Sequence, residues 1–194
     1  MSEESIASFK YEAYRYLGDE IFSALSEPEK RFLLESSILD VIDPLSIKEL
    51  FSPTDANNIL KALARRNLFI QTIFDPKRGY LYRYHQIFRD FLRDRFATEF
   101  STKDQAHFLL KAGSLYERNA SFENALKFYL QAKSFHSVAG ILERIGMDLI
   151  DNGRTGDLAD WLQQIPAELI PERPWLRFFF VHDKALHDRN DQRP

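Results

Sequence analysis

The chain has no cysteine, only seven glycines and two methionines among 194 residues, and no surplus of positive charge. The absence of cysteine excludes disulfides and thiolate-held metals and fits a reducing compartment. Lys and Arg number 26 against 29 Asp and Glu, a formal net charge of -3, so the chain as a whole carries no nucleic-acid footprint. Long apolar runs are also missing. The stretch 175–181 is short and is interrupted by Arg177, whereas a spanning helix needs roughly 20 apolar residues. The first residues, Met1-Ser2-Glu3-Glu4, are polar and acidic, unlike a secretory signal. A cytoplasmic location without membrane contact is expected. Chemical signatures are lacking too: there is no G-x-x-x-x-G-K-[ST], G-x-S-x-G, H-E-x-x-H or G-x-G-x-x-G. The five histidines are scattered. His182 and His187, with Asp183 beside the first, read as surface residues, because metal sites seldom rest on such spacing alone. His107 and His136 fall near helix starts. No catalytic residue and no metal ligand is expected, and the chain is not expected to be an enzyme.

What the chain does have is rings and helical periodicity. Phe numbers 17 and Tyr 8, in a composition that is 44% hydrophobic and 28% charged, ordinary for a soluble globular protein and rich in the side chains that build firm cores. Tyr14, Leu17, Ile21, Phe22 and Leu25 recur at helical spacing and predict a helix ending near Ser26. Ser26-Glu27-Pro28-Glu29 reads as a capping box with proline in the first turn, opening a helix that buries Phe32, Leu33, Ile38 and Leu39. Asp43-Pro44 starts a short helix through Leu50. Ser52-Pro53-Thr54-Asp55 starts another, with Ile59, Leu60 and Leu63 inward. Leu68 to Phe74 and Tyr80 to Tyr84 are β-rich, joined by the turn Asp75-Pro76-Lys77-Arg78-Gly79. Three helices followed by one hairpin is the order of a winged helix. A further helix over about 86–99 carries Ile87, Phe88, Phe91, Leu92 and Phe96 as its apolar face.

Ser101-Thr102-Lys103-Asp104 cap the start of a purely helical half. Gly113, Tyr116, Ala125, Tyr129 and Ala132 fall on positions of a 34-residue tetratricopeptide (TPR) template, with Leu109, Ala112 and Ser137 replacing its usual Trp, Leu and Pro. Helices near 103–118 and 121–133 are expected to pair antiparallel with Ala125 facing Gly113. A weaker second unit aligns Gly113 with Gly146, Asn119 with Asn152 and Ala125 roughly with Ala159. Ile165-Pro166 and Pro171 to Pro174 mark a boundary. A last helix from about Trp175 to His187 needs a neighbour to bury Trp175, Leu176, Phe179 and Phe180. The fold class is mainly α: a winged-helix domain followed by TPR-like antiparallel repeats.

A winged helix raises the question of DNA. The candidate recognition helix, Thr54 to Asn67, carries Lys61, Arg65 and Arg66, and the wing tip carries Lys77 and Arg78. Residues 1–100 nevertheless hold 5 Lys and 9 Arg against 16 Asp and Glu, a net of -2, and DNA affinity rests largely on phosphate neutralisation. A solvated surface of mixed charge is the plainer reading. His85 stands out because it lies between the second wing strand and the next helix. On residue pattern alone it is an aromatic-like plug beside Tyr82 and Tyr84.

The stretch Tyr82-Arg-Tyr-His-Gln-Ile-Phe-Arg-Asp-Phe-Leu-Arg93 resembles the Y-x-Y-H-x-L-F-x-x-F-L segment of MalT-type regulators. These are large ATP-dependent bacterial activators with a LuxR-type DNA-binding end, members of the STAND class of signal-transduction ATPases. Tyr16 to Phe22, Arg31 to Leu39, Leu63 to Phe69, Ala159 to Leu169 and Pro174-Trp175-Leu176 match in order, so the resemblance covers nearly the whole chain. It implies that 1–13 close a preceding nucleotide-binding region, 14–100 form the winged-helix control domain, 101–170 form an arm and 171–194 open a superhelical sensor. It also implies a role for His85, because the histidine resembles that of the M-H-D motif in related immune receptors and apoptotic ATPases, which touches the β-phosphate of ADP. Here Gln86 replaces the Asp of that motif. The resemblance therefore implies an interior regulatory piece of a larger protein. Its partners are that protein's own nucleotide-binding domain and TPR-type sensor, and the active parent oligomerises. The cofactors are ADP or ATP with Mg in the parent and none in this chain, and this chain makes no nucleic-acid contact. The alternative is a stand-alone winged-helix transcription factor with a helical-repeat domain for protein partners, and a plainer one is a helical scaffold.

Overall fold

The computed structural model describes residues 16, 18–50, 56–65 and 69–181, with the side chains of Leu45, Lys48 and Glu49 left aside. The expectations for 1–13, Tyr14, Leu17, the cap at 52–55, Arg66, Leu68, His182, His187 and the tail lie outside those residues. The chain divides into two compact units, Met1–Ala112 and Gly113–Pro194.

The first unit runs through α1 (18–23), α2 (Glu27–Ser36), α3 (Pro44–Leu50), α4 (Ala56–Arg65), β1 (Ile70–Asp75), β2 (Gly79–Tyr84) and α5 (Gln86–Glu99). This is the element order expected of a winged helix. At the start of α2 the backbone N–H and hydroxyl of Ser26 both donate to the Glu29 carboxylate, at 2.8 and 2.7 Å, closing the capping box that the sequence spells. The helix stops at Ser36. Ile38 and Leu39, expected within it, are buried in the turn that follows. In α4 the buried set is Ala56, Ile59, Leu60 and Leu63.

The two strands pair antiparallel from Ile70 opposite Tyr84 to Asp75 opposite Gly79. At the turn, Asp75 Oδ1 accepts the backbone N–H groups of Lys77 and Arg78 at 2.8 and 2.9 Å. Those two bonds hold its carboxyl below the usual carboxylate range. Phe69 lies one residue before the ladder, at φ 53, rather than in the strand. Ile42 exchanges both backbone hydrogen bonds with Tyr82, at 2.7 and 2.9 Å, as an isolated antiparallel bridge. A one-residue bridge leaves no alternating pattern in a sequence, so nothing in the residues announced it.

Helix α5 supplies the ring core of this unit. Phe88, Phe91, Leu92 and Phe96 are buried. Phe69 stacks on Phe88 at 5.5 Å, and Phe22 meets Phe91 edge-on at 6.0 Å. Arg95 donates to Asp19 at 2.6 Å while its guanidinium lies 4.7 Å over the Phe22 ring, which ties α1 to α5. Helix α6 (Thr102–Arg118) is capped by Ser101, whose hydroxyl accepts the Asp104 N–H at 3.2 Å. The boundary expected at 100/101 precedes α6, while the compact units divide inside it. Phe108 packs on Phe96 and Phe100 at 5.9 and 5.3 Å, which keeps the first half of α6 with the first unit.

The second unit comprises the end of α6, α7 (Phe122–Gln131), α8 (Phe135–Asp151), α9 (Thr155–Leu162), a 3-10 turn (Ala167–Leu169) and α10 (174–181). Its turns repeat a single geometry. After α6 the Ser121 N–H reaches the Tyr116 carbonyl and the Ala120 N–H reaches that of Glu117; after α8, Arg154 reaches Leu149 and Gly153 reaches Ile150. Both are Schellman closures with a left-handed residue, Ala120 at φ 55 and Gly153 at φ 72. The aligned glycines also behave alike, since each lies under a ring. A Cβ on Gly113 would come within 2.6 Å of the Tyr129 ring, and one on Gly146 within 2.4 Å of the Phe179 ring. Tyr129, rather than Ala125, therefore holds the closest place against Gly113. Ala125 is fully buried in the core with Leu126, Val138, Ile141, Leu142 and Leu162. Leu176 and Phe179 are buried as well, whereas Trp175 is 52% and Phe180 42% exposed.

Candidate functional site

The hairpin and α2 together fix the position of His85. Tyr84, the last residue of β2, is fully enclosed, and its hydroxyl shares a 2.7 Å hydrogen bond with Ser36 at the end of α2. Burial raises the phenol's pKa above its usual value, so it stays a neutral hydrogen-bonding post. One residue on, the His85 backbone N–H donates to the Phe69 carbonyl at 2.6 Å, and its own carbonyl accepts the Arg89 N–H at 2.9 Å. His85 is thus the N-cap of α5, with φ -58 and ψ 142 and no side-chain cap bond. Backbone bonds on both sides leave the imidazole facing outward. The ring is exposed, and its one described ring contact is a loose, tilted one with Phe69 at 6.5 Å. The reading of His85 as a buried plug beside Tyr82 and Tyr84 is therefore corrected. Those two tyrosines are buried, and the histidine that follows them leaves the core because the chain turns there into α5.

The ring stands in an open cleft of about 540 Å³ lined by Asp40, Gln71, Arg83, Tyr84, His85, Gln86 and Arg89. Arg89 is clamped on the cleft wall: Nη1 donates to Asp40 at 2.9 Å and Nη2 to Gln86 at 2.8 Å. Its Nε is closed off from solvent and has no partner. Arg93, a turn further along α5, donates to the Ser37 and Ile38 carbonyls at 2.9 and 3.1 Å and so holds α5 against the end of α2. The cleft opens at the N-terminal end of α5, where unpaired backbone N–H groups give a partial positive charge. Two arginines and this helix end against the single carboxylate of Asp40 make a basic cleft. Such chemistry suits an anion with several oxygens.

Arg83, Gln71 and Arg89 were not singled out from the sequence. Arg83 and Gln71 are cross-strand partners, so their shared outward face was readable from the strand alternation once the hairpin register was known. The cations weighed for DNA are arranged differently. Lys61 and Arg65 are exposed on α4, while the Arg78 guanidinium lies 3.8 Å from Asp75. Among the described residues no group of three or more His, Asp or Glu converges as metal ligands would, and no helix is long and apolar enough to cross a membrane.

Residues 18–106 match the model of the MalT winged helix domain family. Over that range the chain is similar to the MalT winged helix domain. Beyond it, the similarity extends along most of the chain to two groups of HTH-type transcriptional regulators. AlkS of Pseudomonas putida is 28% identical over 168 residues, covering 86% of this chain and 19% of the relative. AlkS of Ectopseudomonas oleovorans is 26% identical, covering 93% and 22%. MalT of Vibrio cholerae is 26% identical over 171 residues, covering 87% and 19%. The chain thus spans about a fifth of the length of these relatives. The matched range holds the whole cleft, since every lining residue from Asp40 to Arg89 falls inside it.

Proposed function

We propose that this chain is the regulatory and coupling segment of an ATP-dependent transcriptional regulator. In this reading the winged helix closes on an ADP-bound nucleotide domain formed by residues outside the chain. His85 donates a hydrogen bond to an ADP phosphate and holds the resting state. The helical arm couples that closure to a TPR-type inducer sensor. Inducer works only through its difference in affinity between closed and open forms, and the open form exchanges nucleotide and oligomerises. The chain alone does not hydrolyse ATP, because phosphoryl transfer needs a phosphate-binding loop and a magnesium site. The observation that supports this most is the outward imidazole of His85, held by backbone bonds at the mouth of a basic cleft in a domain similar to part of known transcriptional regulators.

A bond from imidazole to phosphate is charge-assisted and worth about 1.5–3 kcal/mol. Since it exists only in the closed form, it acts wholly on the switch equilibrium. His85→Ala in the full-length protein is expected to lower the closed-to-open ratio roughly ten- to a hundredfold, at about 1.4 kcal/mol per decade. ADP then leaves faster, and activity appears without inducer. The melting curve of the 194-residue chain should hardly move, because the ring is exposed. An unchanged ADP off-rate in the full-length variant would end this role for His85.

A further inference from the structure

Among the described residues the cleft holds one cation that the fold does not use. Arg89 is spent on Asp40 and Gln86, and Arg93 on the α2 end. Arg83, exposed on β2, makes no side-chain hydrogen bond or ion pair among the described residues, although it lines the same cleft as His85. Its cross-strand neighbour Gln71 is likewise exposed and lines the cleft. Nothing in the packing of the hairpin calls for a long guanidinium at this point, because the inward face of β2 is carried by Tyr82 and Tyr84.

We propose that Arg83, with the Gln71 amide beside it, is a second anion-binding residue of this cleft and engages the terminal phosphate of a nucleoside diphosphate together with His85. The inference rests on the nucleotide reading of His85 and adds a residue that the reading does not contain. A guanidinium presents paired N–H donors to phosphate oxygens, which an imidazole cannot do. The strand fixes where the arginine starts, and the cap of α5 fixes where the histidine starts, so the two donors reach the cleft from positions 83 and 85, on either side of Tyr84. Arg89, immobilised by its two partners, contributes fixed positive charge to the wall and leaves the direct contact to Arg83. Gln86 matters here as well. A carboxylate at that position would add a second negative charge to the cleft, whereas the amide adds none and helps hold Arg89 in place.

The test uses the 194-residue chain and inorganic pyrophosphate as the probe, followed through the backbone amide signals of the residues lining the cleft by NMR at fixed ionic strength. Wild type is expected to give a saturable shift. Arg83→Gln should weaken pyrophosphate at least tenfold with the hairpin amide signals in place, and Arg83→Lys should recover part of the loss. Arg78→Gln, at the far end of the same hairpin, should change the affinity by less than twofold. If Arg83→Gln binds as wild type does while His85→Ala binds weakly, the arginine assignment falls and the histidine reading stands. If Arg78→Gln weakens binding as much as Arg83→Gln, the effect is diffuse charge and the assignment falls. A linear, unsaturated shift at all positions removes both the arginine and the histidine from the site.

Discussion

Helix α8 offers two glycines with opposite expectations, Gly140 and Gly146. An alanine gains about 0.8–1 kcal/mol over glycine in a helix interior from backbone entropy alone. At Gly140 nothing lies within 4 Å of an added Cβ, so Gly140→Ala is expected to stabilise the second unit by about that amount. At Gly146 the same methyl would sit 2.4 Å from two carbons of the Phe179 ring, where ordinary contact begins near 3.4 Å. The ring would have to retreat by roughly 1 Å, and Phe179 is fully buried with no exposed edge to move into. Overpacking of this kind costs about 1–3 kcal/mol, which outweighs the helical gain over most of that range. The two variants should therefore differ by about 1–3 kcal/mol, with the clash as the whole difference. The only tryptophans, Trp161 and Trp175, both lie in the second unit, so urea unfolding read by their fluorescence reports on that unit. Phe179→Leu in the Gly146→Ala background should return part of the loss. Should Gly146→Ala raise the midpoint as Gly140→Ala does, the close packing of Phe179 on α8 would be refuted.

Ala120 occupies the left-handed position that closes α6, at φ 55, where a Cβ costs about 1 kcal/mol. Ala120→Gly should raise the urea midpoint of the second unit by a matching amount, and an unchanged or lower midpoint would count against that turn geometry. The Tyr129 phenol, which donates to Glu117 at 2.9 Å, has its pKa pushed up to about 12, first by burial and then by that carboxylate. Folding thus favours the protonated phenol: this contribution is complete below pH 10.0, the ordinary value, and is lost as pH rises through about 12. Wild type should be more stable than Tyr129→Phe at neutral pH, with the gap narrowing across that window in urea melts. A gap independent of pH would show that the phenol is not protected by the fold.

Which features the sequence disclosed follows from the range of the interactions involved. The capping box of α2, the turn at Asp75 and the bounds of α5 depend on residues within five positions of one another, and local spacing disclosed all of them. Outcomes that depend on distant partners were less visible. Ile42 bridges Tyr82 across forty positions, and Tyr129 rather than Ala125 lies on Gly113 because ring size, not template position, decides what covers a glycine. The site shows the same division. His85 was visible as a residue between strand and helix, and its resemblance to a phosphate contact came with the motif around it. Its exposure was not visible, since two buried tyrosines nearby suggested enclosure. Asp40, which completes the cleft through its bond to Arg89, comes from the α2 side and has no local signature.

Among the described residues the hairpin is fastened at one end. Ile42 on Tyr82 and Ser36 on Tyr84 grip it near the site and the His85–Phe69 bond closes its base, while among the described residues the tip at 76–78 is bonded only to Asp75 within the turn. Lengthening the tip would leave the register beside His85 untouched. The tip is therefore free to change in length and sequence without disturbing the residues around His85. The same segment is a natural place to splice in a reporter or an affinity tag.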